Sequence, residues 1–223
     1  MQEQIQKRIE KRIEMAPEQT ASAVSSATNE MIFETVVTTV SREGVPHVAP
    51  MGVRYRDGSV VLMPFKPSTT LDNIEATGHA VLNIVTDTRV FAGCVTGRKA
   101  WPVRPAERIA GVRLAVALNH VELRLVERSD DLQRPVLRLA RVFEAAHAPF
   151  IGFNRAQTAV LEGAILVSRL HLLPPAKVET EMTYLQIAID KTAGPDEREA
   201  WGWLLDAVAR HRAGAPGEPA VPA

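Results

Sequence analysis

Pro64-Phe65-Lys66-Pro67-Ser68-Thr69-Thr70-Leu71-Asp72-Asn73 follows a run rich in β-branched residues and opens a short helical pattern. A strand that hands a Lys, a Ser and two Thr to a helix start is suited to seat a phosphate. The first backbone N–H groups of a helix have no partner within it, and its dipole favours an anion there. Hydroxyls donate to phosphate oxygens, and a Lys adds positive charge. The same residues also suit ordinary N-capping by Ser68 or Thr69, with Lys66 solvated.

The pattern on either side gives the frame. Upstream, Met31 to Ser41 is rich in Ile, Val, Thr and Phe and predicts a strand. Arg42-Glu43-Gly44 is a turn signal. Val45 to Tyr55 predicts a second strand, and Pro46 and Pro50 place it at an edge or at a bulge, because proline cannot donate to a ladder. Asp57-Gly58 is a hairpin signal leading into a third strand over Ser59 to Phe65. Downstream, Thr69 to Thr77 predicts a helix stopped by Gly78, and Ala80 to Val85 a fourth strand. Two hairpins, a short helix and a return strand describe a small antiparallel barrel.

Beyond the fourth strand, Thr88 to Val95 suits a helix start. Gly97 to Ala106 suits a loop, and Glu107 to Leu118 suits either a helix or a lead-in to a strand. Val121 to Val126 and Val136 to Ala145 alternate like two further strands joined by the polar run Glu127 to Arg134. After Pro149 the period becomes helical. Ala156, Ala159, Val160, Gly163, Ala164, Val167 and Leu170 form one stripe over Asn154 to His171. Lys177 to Thr192 and Pro195 to His211 predict two more helices. The expected division is a short N-terminal helix and linker over 1–30, a barrel over 31–148, a three-helix subdomain over 149–212 and a disordered tail over 213–223.

The chain has 223 residues, 46% hydrophobic and 23% charged, enough for a sizeable core. Its 26 basic and 26 acidic side chains balance, which argues against nucleic acid or an anionic membrane as the main partner. The single Cys94 excludes an intramolecular disulfide and is expected to be a buried apolar residue. No apolar run is long enough for a membrane span, the N-terminus lacks a signal-peptide pattern, and the expected location is the cytoplasm. The histidines at 47, 79, 120, 147, 171 and 211 have no metal-ligand spacing, so no metal is expected. His47 is the best placed of them as a proton donor. Arg98, Lys99 and Arg104 around Trp101 suit a second anion or a solvated loop. Arg155 at a helix start suits an anionic partner or a surface ion pair. Trp201 and Trp203 suit packing of the last helix.

A phosphate-seating turn between the third strand of a small barrel and a helix suggests a mononucleotide. Pro46-His47-Val48-Ala49-Pro50-Met51-Gly52, then Lys66-Pro67-Ser68-Thr69-Thr70 with Asn73, then Asn83, resembles the FMN-binding split-barrel superfamily. With Phe150-Ile151-Gly152-Phe153-Asn154-Arg155-Ala156 opening the helical part, the chain over residues 31–211 resembles DUF447, a family of flavin proteins of archaea and methylotrophic bacteria. The resemblance implies an α+β fold, an antiparallel, Greek-key-like FMN-binding split β-barrel with a C-terminal three-helix subdomain. It also implies a homodimer with FMN near the interface. Lys66, Ser68 and Thr69 would hold the FMN phosphate, with Thr70 and Asn73 close by. Pro50, Met51 and Gly52 would lie along the isoalloxazine ring, and Asn83 would bond a polar ring edge or the ribityl chain. Phe65 and Phe91 are candidates for ring stacking, with core packing the expected role of each. The implied function is an FMN-dependent oxidoreductase acting on a small molecule, with tetrahydromethanopterin-dependent one-carbon metabolism as a link. A non-catalytic FMN carrier or accessory protein is the alternative, and a barrel that has lost FMN is a third reading.

Overall fold

The computed structural model describes residues 31–214. The helix and linker expected over 1–30 and all but the first two residues of the tail lie outside the described residues.

Strands β1 (Phe33–Val40), β2 (Pro46–Arg56) and β3 (Ser59–Leu62) form two successive hairpins. The first turns at Gly44, with φ 80°, and the second at Asp57 and Gly58, with φ 48° and 74°. Two consecutive residues at positive φ make the turn whose twist matches paired strands, and Asp-Gly is suited to it. Helix α1 (Thr69–Thr77) follows and ends at Gly78, which is left-handed and donates its N–H to Ile74 O at 2.8 Å. Strand β4 (His79–Ile84), helix α2 (Arg89–Val95) and the short strands β5 (Val103–Pro105) and β6 (Val112–Leu114) lead to the long strands β7 (Asn119–Ser129) and β8 (Val136–Ala146). Helices α3 (Arg155–Ser168), α4 (Pro175–Thr192) and α5 (Pro195–Arg212) complete the described chain.

Six strands close an antiparallel barrel in the order β1-β2-β3-β8-β7-β4. The β1–β2 register is continuous from Phe33↔Val53 to Val40↔Pro46, so neither proline makes a bulge. On its other side β2 pairs with β3 only over Arg54 to Arg56, and residues 46–53 form an edge. That edge accommodates Pro46 and Pro50, whose missing donors would otherwise interrupt a central ladder. β7 carries two register shifts against β8, between Glu122 and Leu123 and between Leu125 and Glu127.

The barrel interior is filled by Val37, Val53, Leu62, Ile74, Leu82 and Leu123, among others. Each fully buried Leu or Val of this kind contributes roughly 1.5–3 kcal/mol. A second core forms outside the barrel, where Val36, Val90 and Phe91 meet Ala159, Val160, Trp201 and Leu204. The last six residues of β1 are therefore buried on both faces, which accounts for the unbroken Val/Thr run in place of alternation.

The covering segment over 103–114 was expected to be loop and an undecided helix or strand; it is a two-stranded ribbon, β5 against β6. It is held by a row of buried polar side chains on the outer face of the barrel. Thr38 Oγ1 donates to Val112 O, and Asn83 Oδ1 accepts from Leu114 N–H at 2.7 Å. Glu122 accepts from the N–H groups of Glu107, Arg108 and Ile109 at 2.5, 2.8 and 2.9 Å. A two-stranded ribbon is marginal by itself, and these side chains supply the partners its backbone lacks.

Candidate functional site

The β3–α1 connection and the β7–β8 loop meet at one end of the barrel. Ser68 is extended, with φ −150° and ψ 123°, and its Oγ caps α1 by accepting from Leu71 N–H at 3.3 Å. Its carbonyl accepts from Asp72 N–H at 3.0 Å. The N–H groups of Thr69 and Thr70 have no backbone or side-chain partner among the described residues. Lys66 and Thr69 are exposed, whereas Ser68, Thr70 and Asn73 are buried. Asn73 Nδ2 donates to Thr39 Oγ1 at 2.9 Å, which ties the helix to β1 and sets the direction of its first turn.

The β7–β8 loop braces this turn. Lys66 N–H donates to Gln133 O at 2.9 Å, and Lys66 Nζ to Asp131 O at 3.1 Å. Asp131 Oδ1 accepts from the N–H groups of Arg134 and Gln133, and these bonds hold its carboxyl below the usual carboxylate range. Arg134 donates twice to Met63 O, at 3.2 and 3.0 Å, and its guanidinium lies 4.2 Å from the centre of the Phe65 ring. Arg54 Nη1 lies 3.3 Å from Met63 Sδ. Arg54, Lys66 and Arg134 thus converge on residues 63–66, and none forms an ion pair among the described residues. A helix start with unpartnered N–H groups beside three cations is an arrangement that attracts an anion. Arg54 and Arg134 were not singled out in the sequence. Only the topology shows that the polar run Glu127 to Arg134 lies beside the end of β3.

The other candidates divide. Pro50 and Gly52 are half-buried on the outer face of β2, on the edge left open by β3. Met51 points into the barrel interior, and its carbonyl accepts from Thr35 Oγ1 at 2.8 Å. The space beside Gly52 is taken by Ile32: a Cβ there would lie 2.7 Å from Ile32 Cγ2. Close approach at Gly52 is therefore made by the chain itself. Asn83 is fully buried, and its Nδ2 faces Val36 O, Thr38 Oγ1 and Val81 O at 3.1, 3.1 and 3.2 Å. With its Oδ1 on Leu114, its amide is engaged within the protein. Phe91 packs in the core, but Phe65 is 43% exposed under Arg134, contrary to the core role expected for it.

His47 is half-buried on β2; burial, and then the Lys99 charge, push its pKa down. Arg98 stacks over Trp203 at 4.0 Å and donates to Thr96 Oγ1 at 2.8 Å, so it is bound in packing. Trp201 is buried, with Nε1 donating to Gln186 Oε1 at 2.7 Å. Cys94 is half-buried rather than fully buried as expected, and that burial pushes its thiol up to about 11. Arg155 is exposed at the start of α3 with no ion pair among the described residues. Among the described residues no group of three His, Cys, Asp or Glu side chains is placed to hold a metal.

A second cluster went unnoticed in the sequence. His120 and Glu122 share one face of β7, and both are 0% exposed. His120 Nε2 lies 3.4 Å from Glu122 Oε1, and its Nδ1 lies 2.9 Å from Nε2 of the exposed His147. The two imidazoles stack with centroids 5.0 Å apart. The i, i+2 spacing of His120 and Glu122 is the signal that a strand assignment turns into a shared face.

The model of the family described as protein of unknown function (DUF447), N-terminal domain, matches residues 33–148, and that of the DUF447 C-terminal part matches residues 154–206. Among solved structures, an FMN-bound DUF447 protein from Methanosarcina mazei is similar, with a TM-score of 0.70 and 20% identity over 79% of this chain and 94% of that one. The 2-nitrobenzoate 2-nitroreductase of Pseudomonas fluorescens has a TM-score of 0.46 and 18% identity over 60% of this chain and 74% of its own. A flavoredoxin from Methanosarcina acetivorans has a TM-score of 0.45 and 14% identity over 52% and 69%. No curated protein sequence matches the chain.

Proposed function

Because the chain belongs to the DUF447 family, with the split-barrel fold, we propose that it binds FMN at the β3–α1 turn and serves as an FMN-dependent oxidoreductase for a small molecule. The observation that carries the reading is the likeness of nearly the whole described chain to an FMN-bound member of the family. The residues at the turn fit a phosphate: a capped helix start, hydroxyls and, among the described residues, two unpartnered N–H groups and three cations free of ion pairs.

In this proposal Lys66, Ser68 and Thr69 take the phosphate oxygens, with Thr69 and Thr70 N–H donating. Arg54 and Arg134 add positive charge. Asn73 acts from beneath, holding the helix start against Thr39. The open edge of β2 at Pro50 and Gly52 offers backbone to a planar ring, with Met51 contributing through its main chain. Asn83 is left out as a direct contact, because its amide is already used. Bound FMN would supply the electron-transfer chemistry, which no side chain here provides. The side chains bind, orient and exclude water.

The exposed apolar residues Phe150, Ile151 and Phe153 support the homodimer that belongs to this proposal. A reduced pterin of one-carbon metabolism is the substrate class to test first. Chromophore release from the purified protein, identified by mass, tests the cofactor. Mixing with NADH or NADPH then separates the readings. Rapid bleaching of the flavin supports the oxidoreductase. Inert flavin supports a carrier, a reading favoured by the lack of an evident proton donor at the turn.

A further inference from the structure

The cluster of Glu122, His120 and His147 lies at the other end of β8 from the phosphate turn. Arg134 lies two residues before the start of β8, and His147 follows its last residue. The eleven-residue strand between them is about 35 Å long. We propose that this cluster is a second, proton-gated site, at which His147 binds a small oxyanion when its ring is protonated.

The buried carboxylate sets the hydrogens of the cluster. Burial alone would raise the pKa of Glu122, but the N–H groups of Glu107 and Arg108, His120 and the N–H of Ile109 together hold it below the usual range. Glu122 is therefore ionised and accepts only. That fixes the hydrogens beyond it. His120 directs Nε2–H at Glu122 and leaves Nδ1 as an acceptor. His147 then donates Nε2–H to His120 Nδ1 across 2.9 Å. The outer nitrogen of His147, Nδ1, keeps its lone pair at the surface.

A proton taken up at His147 Nδ1 makes an imidazolium whose charge is stabilised through His120 by the Glu122 carboxylate. The cluster changes from net −1 to neutral, and the exposed ring becomes a donor. His147 stays below its ordinary pKa, first through desolvation and then through the charges of Arg113 and His120, while the nearby Glu107 acts the other way. The proton is therefore held on the acid side of neutrality unless an anion binds.

The surroundings hold cations as well as the Glu107 carboxylate that acts on His147. Arg108 lies over the Phe143 ring at 5.7 Å, and the same ring is 5.9 Å from His120. Arg113 donates to Leu114 O at 3.2 Å, and its Nε has no partner among the described residues. Neither arginine forms an ion pair among the described residues. Glu144, the nearest acid along β8, is engaged by Arg141 and Asn119. A carboxylate or phosphate oxygen accepting from protonated His147 near Arg113 is the ligand class that fits.

The test is a pH titration of the full chain with its histidine rings labelled with nitrogen-15, with inorganic sulfate, whose charge is constant over the range, as the probe. Sulfate should shift the His147 signals at pH about 5.5 and bind about tenfold more weakly at pH about 8, the effect of losing one charge. His147→Gln should abolish the sulfate response of the neighbouring amide signals. Glu122→Gln should move the His147 midpoint to lower pH; if that variant fails to fold, the wild type and His147→Gln still decide. A His147 signal indifferent to sulfate at low pH overturns the proposal, and so does an undiminished sulfate response in His147→Gln.

Discussion

Asn83 Oδ1 accepts the backbone N–H of Leu114 at 2.7 Å, with the amide group of the same side chain turned on β1. One buried side chain thus joins β4, β1 and the β5–β6 ribbon. Asn83→Ala would leave the Leu114 N–H unpaired inside the protein, a loss of roughly 1–3 kcal/mol. Urea denaturation should show that loss, and amide exchange at Leu114 should accelerate. An unchanged denaturation midpoint would contradict the assignment.

The α3–α5 contact is set by Gly163. A Cβ there would lie 2.8 Å from Trp201 Cζ3 and 3.0 Å from Leu204 Cδ1. The indole is held by its bond to Gln186 and cannot easily withdraw. Gly163→Ala gains about 1 kcal/mol of helix propensity, but overpacking costs about 1–3 kcal/mol. The expected net effect is a lower melting temperature. A higher one would show that the helices separate freely at this point.

Cys94 should react slowly. With its thiol pushed up to about 11 by burial, little thiolate is present near neutral pH. A thiol reagent at pH about 8 should label the native protein slowly and the unfolded protein rapidly. Rapid labelling of the folded protein would contradict this reading.

Glu122 gives the fold an acid dependence with a definite sign. Its folded pKa is depressed, so its stabilisation is complete above the unfolded carboxylate value of about 4.3 and is lost as pH falls through the lower folded value. Denaturation midpoints of the wild type should fall on acidification below that value. Those of Glu122→Gln should start lower and vary less over the same range.

Local chemistry made much of the fold legible. Asp57-Gly58, Gly78 and the Val/Thr run of β1 each act through their own backbone preference, and the elements they bound lie where those preferences place them. The β5–β6 ribbon was illegible because its stability comes from Thr38, Asn83 and Glu122, side chains distant in sequence. The same reason separates the parts of the site. Lys66, Ser68 and Thr69 stand in one decapeptide whose helix-start chemistry is local. Arg134 reaches the turn only through the β7–β8 hairpin, and the space at Gly52 is filled by Ile32 only because of the β1–β2 register. Asn83 suited a ligand in sequence because a buried strand amide and a ligand-binding amide are the same residue until its partners are known.

Lys66→Ala is the clean test among the residues of the turn. Its side chain is exposed and donates only to Asp131 O, so stability should change by less than about 0.5 kcal/mol while FMN affinity falls about tenfold or more. Ser68→Ala should lose flavin and also about 1 kcal/mol of stability, because Ser68 caps α1. A Lys66→Ala protein that retains FMN as the wild type does would remove Lys66 from the site.

The most direct measurement compares FMN with riboflavin, which has the same ring and ribityl chain but no phosphate, by fluorescence titration of the flavin-free protein. A phosphate seated on Lys66, Ser68, Thr69 and the start of α1 predicts that FMN binds at least about 100-fold more tightly, since several charge-assisted bonds depend on it. Equal affinity for the two, or no binding of either, would contradict the account and leave the turn as a capped helix start.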